Sequence, residues 1–374
     1  MSLEDLSTLS LFPATKEQIL ESRKRTYPQW GRGLTLEGYF ARESRLDIAE
    51  HAQGDKFTTW VLAPRENPTT LDFKSSCETY RRRSLVKRPG STSSEEVYGY
   101  GIASVFTPPN NRGKGYARRL MSFLHWVIAP HASLPPFPSS WGTPPPERPG
   151  CNNGVFSALY SDIGPDFYAS AGPSEDTKGW IVREPYSTIW DVPKDLEPIS
   201  SVRWLNEDSC KEVIERDTEL IRKSFPSDPE RVTFGFLPNE GVAMFMIFRT
   251  EFFAPGQPYA IPDKWGVELP PKDSSEESLC FATWSLDVRP PPPTLIVTRI
   301  RATKETFPTI LSCLFSAARE SDMKRVEIWN LPSDLEEVAE QSGGRKEERD
   351  EHLNAFKWYG PEKNEDLKWV YNEK

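Results

Sequence analysis

The chain has 374 residues, 37% of them hydrophobic, enough to bury two ordinary cores or one large one, and two domains are expected. A formal charge of −9 argues against a general nucleic-acid binder, which gathers phosphates on a basic stripe. Cys77, Cys151, Cys210, Cys280 and Cys313 are scattered without metal-ligand spacing, so no metal is expected and a reducing compartment is.

Met1 to Ser10 carries Glu4 and Asp5 and no apolar segment, so no secretory signal is expected. Ser7 to Phe12 reads as a short strand, and Thr15 offers an N-cap for a helix to about Arg25. Thr35 to Arg45 is a second helix, and Phe57 to Ala63 and Cys77 to Val86 are strands. Arg81, Arg82, Arg83, Lys87 and Arg88 fall on or just after the last of these, where alternation splits them between two faces. They read as a solvated strand, or as a place where one arginine holds an anion. Pro89 to Ser94 is a hairpin loop.

Val97 to Phe106, rich in β-branched and aromatic residues, is a strand that Pro108 and Pro109 end, because proline donates nothing to a ladder. Ala117, Leu120, Met121, Leu124, Val127 and Ile128 then recur at helical spacing. The intervening Arg112-Gly113-Lys114-Gly115-Tyr116 loop can aim backbone N–H groups at an anion, and the helix N-terminus adds about half a positive charge. Arg112 and Lys114 add whole ones. The proline-dense Pro130 to Pro149 has no pattern of its own and reads as an insertion lying across a ligand or as disorder. Asn153 to Ser161 is a strand, Asp162 to Pro165 a turn, and Asp166 to Gly172 a short helix. Gly179 to Asp191 would supply the last strands of a first domain over residues 1–195, with Lys194 to Ser200 as linker.

In the remainder, 196–374, Asp208 to Lys223 is an amphipathic helix and Arg231 to Leu237 and Val242 to Arg249 are strands. The run from Val242 to Phe248 is too short to cross a bilayer, so no membrane partner is expected, and a soluble cytoplasmic protein is. Leu279 to Val288 and Thr294 to Ala302 form a pair around Pro290 to Pro293. A helix from about Glu305 to Glu320 has Pro308 in its first turn, and Lys324 to Asn330 is a strand. This succession echoes the first half.

The glycine loop resembles motif A of the Gcn5-related N-acetyltransferases, whose Arg/Gln-x-x-Gly-x-Gly/Ala pattern is matched by Arg112, Gly115 and Ala117. The segment Asp166-Phe167-Tyr168-Ala169-Ser170-Ala171-Gly172 resembles the family's Tyr-x-x-x-Gly helix, although Pro173 stands where the family has an aromatic. The resemblance implies an α/β (α+β) acetyltransferase fold that binds acetyl-coenzyme A as cosubstrate, with a second α+β domain that is either a degenerate copy or unrelated. The second half has Arg301-Ala302-Thr303-Lys304-Glu305-Thr306 at the place of the cradle, without glycine.

The resemblance further implies that Val105, Phe106 and Thr107 pair with the pantetheine arm, and that Arg112 to Ala117, Gly113, Lys114, Gly115 and Tyr116 included, cradle the pyrophosphate. Tyr168 would protonate the leaving thiolate. An amine acceptor needs deprotonation, for which Glu95, Glu96 and Tyr100 are the candidates. No histidine stands out among His51, His125, His131 and His352, and Cys151 lacks a local partner that would favour a nucleophilic thiolate.

Beyond these motifs the layout resembles the fungal lysine N6-acetyltransferase family, through Arg112-Gly113-Lys114-Gly115, Ala158 to Gly164, Phe167-Tyr168 and the tail from His352 through Trp358-Tyr359-Gly360 to Trp369-Val370-Tyr371-Asn372-Glu373-Lys374. That likeness implies L-lysine as acceptor and a first step of lysine breakdown, with the second domain contributing to the acceptor site. Another amine, a peptide N-terminus, or a non-catalytic acyl-coenzyme A sensor are the alternatives.

Overall fold

The computed structural model describes residues 5–196, 199, 201–252, 262–271 and 279–371. Its first half runs β1 (Leu9–Pro13), α1 (Lys16–Trp30), α2 (Leu36–Asp47), β2 (Phe57–Pro64), β3 (Ser75–Lys87), β4 (Glu95–Phe106), α3 (Tyr116–Ile128), β5 (Gly154–Ser161), α4 (Asp166–Ala169), β6 (Ile181–Val182) and β7 (Tyr186–Asp191). Local chemistry sets the first boundaries. The Thr15 hydroxyl accepts from the Gln18 amide while the Gln18 side chain accepts from Thr15, a reciprocal cap worth about 1 kcal/mol that starts α1. The Thr35 hydroxyl caps α2 by accepting from the Gly38 amide at 3.1 Å.

The second half runs β8 (Arg203–Leu205), α5 (Glu207–Lys223), β9 (Val232–Phe236), α6 (Phe245–Thr250), β10 (Gly266–Glu268), β11 (Phe281–Asp287), β12 (Thr294–Arg301), α7 (Phe307–Glu320), β13 (Arg325–Trp329), α8 (Glu336–Gln341), β14 (Arg345–Glu348), β15 (Leu353–Trp358) and β16 (Leu367–Trp369). Two sheets form among the described residues. One has the order β1-β2-β3-β4-β5-β15-β6, extended by β9 beside β3 and β16 beside β9, and the other the order β8-β10-β11-β12-β13-β7-β14.

These orders are the same order. Each sheet holds a parallel pair bridged by one helix, β4–α3–β5 and β12–α7–β13, so the second half is a second acetyltransferase-like unit. Each unit also lends the other a strand: β15 lies between β5 and β6, and β7 lies between β13 and β14. The expectation that Gly179–Asp191 completes the first sheet is therefore corrected. Only Ile181–Val182 does so, and a boundary at 195/196 does not separate the sheets. A strand's alternation fits either sheet, so the pairing is decided by what lies opposite.

The β15 insertion is held by side chains as well as by its ladder. Phe356 and Trp358 pack against Phe234, and the Tyr359 hydroxyl sits 2.8 Å from His125 Nδ1 and 2.9 Å from Ser157 Oγ. His125 Nε2 donates to the Ala171 carbonyl at 2.9 Å, so Nδ1 is the acceptor for Tyr359. Complete burial pushes the His125 pKa down to about 3, which keeps the ring neutral. This histidine is structural.

Val242–Arg249 is not a strand. Gly241, at φ +80°, turns the chain into a 3-10 turn and then α6, whose Phe248 packs under Arg45 of α2 at 4.0 Å. A short apolar run fits a buried helix as well as a strand, and here packing against α2 and β11 decides. Pro130–Pro149 makes two short turns and packs along α3, with Phe137 4.9 Å from Trp126, Trp141 buried, and Arg65 bonded to Thr143 Oγ1 at 2.8 Å. No described helix is long and apolar enough to cross a membrane.

A chain truncated after residue 198 loses β9 and β15 and exposes the β5 edge and Phe156, whose partner Phe234 leaves with β9. Such a chain is expected to be insoluble or unfolded, and far-UV circular dichroism with a cooperative thermal transition would contradict this.

Candidate active site

The parallel ladder between β4 and β5 runs from Tyr98 opposite Gly154 to Gly101 opposite Ala158, and there it stops. Both strands continue, β4 to Phe106 and β5 to Ser161, so they diverge and leave an open wedge between them. On its other edge β4 carries an extra residue: Ser76 faces Phe106 and Glu78 faces Ala103, with Ser104 at φ +54° in the bulge. Such a bulge bends the strand and re-aims its backbone groups. Val105, Phe106 and Thr107 line the wedge side, Phe106 being buried and the other two half-buried.

Beyond the wedge the chain turns through Arg112 to Gly115, all exposed. Gly113 and Gly115 stand at φ +74° and +82°, conformations that cost an L-residue about 1–2 kcal/mol. Gly115 is also the N-cap of α3 and has no side chain to cap it, so the first-turn N–H groups stay directed at the loop. Arg112 Nε is held by the Thr107 carbonyl at 3.0 Å and Lys114 Nζ by that of Asn110 at 2.8 Å, which sets both cations around the mouth. Tyr116 is buried, so it and Ala117 serve the loop through backbone. Together these groups fit a pyrophosphate, and the wedge fits the extended arm that would follow it.

Tyr168 lies on α4, with its ring 5.0 Å from Phe167 and its hydroxyl without a hydrogen-bond partner among the described residues. Burial raises its pKa, with Asp162 adding to the rise, so the phenol carries its proton at neutral pH. Helix α4 is tied to the first turn of α3 by Arg118 Nε donating to the Ser170 carbonyl at 3.0 Å.

The expected bases fare differently. Tyr100 is buried and donates to Asn153 Oδ1 at 2.8 Å, and burial raises its pKa, so it is a strand-packing residue and not a base. Glu96 is at the opposite end of β4 from the cradle, paired with Arg222 at 3.2 Å and Arg83 at 3.3 Å. At about 3.3 Å per strand residue it is roughly 30 Å from Phe106, too far to act there. Glu95, beside it, pairs with Arg88 at 3.2 Å. Cys151 has its pKa raised by burial in spite of Arg148 and Arg81, which disfavours a nucleophilic thiolate. His51 is buried with its ring 5.2 Å from Phe245 and its pKa pushed to about 4 by burial.

Sequence reasoning missed Glu78. It lies on β3 opposite the β4 bulge, at the floor of a cavity bounded by Arg23 of α1, Tyr39 and Glu43 of α2, and Ser104. Arg23 is engaged by Asp47 through two bonds of 2.8 and 2.6 Å, which leaves Glu78 without an ion pair among the described residues. Burial, then the charge of Glu43, lifts the Glu78 pKa to about 7. The sequence signal was a lone carboxylate, between Cys77 and Thr79, in a strand whose other charges are basic. Among the described residues no cluster of His, Cys, Asp or Glu groups could hold a metal ion.

The corresponding place in the second unit is closed. Arg301 Nε and Arg299 Nε bind opposite oxygens of the fully buried Asp217 at 2.6 and 2.7 Å, and Thr303 and Thr306 bond to each other where the first unit has glycines. Burial would raise the Asp217 pKa, but Arg299 and then Arg301 hold it below the usual carboxylate value.

Gly115→Val should strain the cradle backbone and abolish acetyl-coenzyme A binding. Gly90→Val, at φ +75° in the β3–β4 hairpin with no atom near its Cβ position, imposes similar strain far from the cradle and should retain binding. Calorimetric titration of both folded variants checks this, and equal affinity would dissociate the loop from the ligand.

Comparison with known proteins agrees with this geometry. A probable N-acyltransferase from Enterococcus faecalis superimposes with a TM-score of 0.55 at 12% identity, covering 94% of this chain and 72% of that one. Gcn5-related N-acetyltransferases from Anabaena variabilis (TM-score 0.53, 13% identity, 94% and 73% covered) and Kribbella flavida (0.52, 14%, 94% and 71%) share the fold. A lysine acetyltransferase of Yarrowia lipolytica is 28% identical over 106 residues, which are 28% of this chain and 26% of the relative, so the match spans about a quarter of that protein. The family model described as the LYC1 GNAT-like C-terminal domain matches residues 174–374, more than half of the chain and including the strands that complete both sheets, and the chain accordingly belongs to the LYC1-like branch of the Gcn5-related acetyltransferases.

Proposed function

We propose that the protein is an N-acetyltransferase that moves an acetyl group from acetyl-coenzyme A directly to a primary amine, the side-chain nitrogen of L-lysine foremost. The observation that carries this reading is the wedge between β4 and β5 with a glycine cradle at its mouth. Thiol esters are already activated, so the protein has mainly to align the amine, remove its proton and stabilise charge on the carbonyl oxygen. Backbone along Val105 to Thr107 would hold the pantetheine arm, and the Arg112–Ala117 loop the pyrophosphate. The Yarrowia relative's name supports lysine as the acceptor. Five cysteines without a disulfide suit a cytoplasmic setting.

Tyr168, buried and protonated, is suited to give its proton to the departing thiolate. An alkyl amine with a pKa near 10.4 is neutral only about once in 2,500 molecules at pH 7, a penalty of about 4–5 kcal/mol, so a base is required as well.

A thiol-release assay with L-lysine, a polyamine and a peptide N-terminus tests the reading, and lysine should give the highest kcat/KM. Tyr168→Phe should lower kcat by about 10²–10⁴ with unchanged acetyl-coenzyme A affinity. A wild-type protein that binds the thioester but releases no thiol with any amine would be a sensor instead, and an unaffected kcat in Tyr168→Phe would reduce that residue to packing.

A further inference from the structure

Two cavities of opposite charge adjoin at α2. The first is the Glu78 cavity beneath the β4 bulge, where Glu78 supplies the unpaired negative charge, Glu43 being bound by Arg42 and Asp47 by Arg23. The second lies between the two units. Arg32 and Arg42 come from the first half, and Arg249 of α6 and Arg289 from the second. The balance there is positive: Asp287 is bound by Arg32 at 3.0 Å and Arg42 by Glu43 at 2.9 Å, while Arg249 has no carboxylate partner among the described residues and reaches Met246 Sδ at 3.9 Å. Arg249 is half-buried, and a guanidinium in that setting ordinarily meets an anion.

The consecutive residues Arg42 and Glu43 put one wall of each cavity side by side. The path between them is apolar. Glu78 and Tyr80 are two apart on β3 and so share a face. The Tyr80 ring is 5.8 Å from that of Phe245, which in turn lies 5.8 Å beneath the Arg249 guanidinium. His51 closes the same wall, 5.8 Å from Tyr80. An acidic end beneath the β4 bulge, an aromatic wall and a basic end between the units make a site for a chain that is cationic at one terminus and anionic at the other.

Resting on the acetyltransferase reading, we propose that the acceptor is an amino acid bound across both units. Arg249, with Arg42, takes its carboxylate, Tyr80 and Phe245 wall its methylene chain, and Glu78 is the catalytic base that accepts the ammonium proton. The nitrogen so freed forms the C–N bond to the acetyl carbon. The C–S bond breaks with its electron pair on sulfur, the thiolate takes the Tyr168 proton, and the second proton that the nitrogen sheds on becoming an amide returns to the Tyr168 phenolate. The groups facing Glu78 are Arg23 from α1, Glu43 and Asp47 from α2, Ser104 from β4 and Tyr80 from its own strand. With Glu43 lifting it and Arg23 held by Asp47, Glu78 gains its base form as pH rises through about 7. The rate should rise with it.

The experiment compares L-lysine with 1,5-diaminopentane, which has the same amine and no carboxylate. Arg249→Ala should lower the ratio of kcat/KM for lysine over the diamine by about 10–100-fold, the range for a lost hydrogen bond between charged groups, with partial recovery in Arg249→Lys. Glu78→Gln should cost about 10²–10⁴ in kcat for both amines, remove the rise through pH 7, and leave the calorimetric affinity for lysine within a few-fold. An unchanged ratio in Arg249→Ala, or a pH profile retained in Glu78→Gln, overturns the corresponding end of the site. Titration of lysine into the full-length protein with coenzyme A separates this from the activity: Arg249-dependent binding without thiol release would refute catalysis and keep the site, whereas turnover of lysine indifferent to Arg249 would refute the site and keep catalysis.

Discussion

The early end of the β4–β5 ladder is the constraint on which the functional architecture depends. Two parallel strands joined by a helix would ordinarily pair along their full length, since each unpaired buried amide costs about as much as a lost hydrogen bond. Here pairing ceases after Gly101 and Ala158 because the Ser104 bulge bends β4 while β5 is drawn toward β15. The wedge that results leaves backbone donors and acceptors of β4 open at the place where the α3 N-terminus and the glycine loop converge. Ligand capacity follows from backbone that the fold does not satisfy itself.

That wedge cannot be maintained by the first half alone. Residues 353–358 supply the strand that flanks β5 on its far side, and Tyr359 anchors it by bridging His125 and Ser157 in the interior of the first unit. The reciprocal loan of β7 to the second sheet makes the exchange symmetric. A buried hydroxyl bonded at both ends is costly to pull out, because each partner left behind loses its bond in a dry site. The two units are thereby set in one relative position, which is what a site lined by both requires.

The second unit keeps the topology and gives up the glycine loop. An ion triad of Asp217 with Arg299 and Arg301 stands at the end of β12, and a serviceable glycine loop is replaced by paired threonines. Burying three charges brings little net stability, but removing one partner from such a cluster leaves an uncompensated charge and commonly costs about 3–5 kcal/mol. The triad thus locks closed a place that is open in its counterpart. What the second unit retains is a surface, of which Phe245 and Arg249 on α6 face the first unit's α2 and β3.

The cradle was legible in the amino-acid sequence because its requirements are local: glycine where φ must be positive, proline where a ladder must end, and apolar residues at helical spacing immediately after. Helix caps at Thr15 and Thr35, the hairpin at Pro89–Ser94 and the position of Tyr168 were legible for the same reason. Val242–Arg249 was not, since a short apolar run satisfies a helix or a strand until its neighbours are in place. Nor could the sheet membership of Tyr186–Asp191 and Leu353–Trp358 be read, because alternation specifies which face is buried and not which partner covers it. Glu96 looked suitable only by its nearness in sequence to the motif strand, whereas extended backbone carries it to the far end. Glu78 and Arg249, 171 positions apart by number, come to adjoining cavities through the β4 bulge and the docking of α6 on α2. Local backbone chemistry determined the glycine loop, and long-range packing alone decided the surroundings of Glu78 and Arg249, because charge and burial there are contributed by segments that meet only once both sheets have closed.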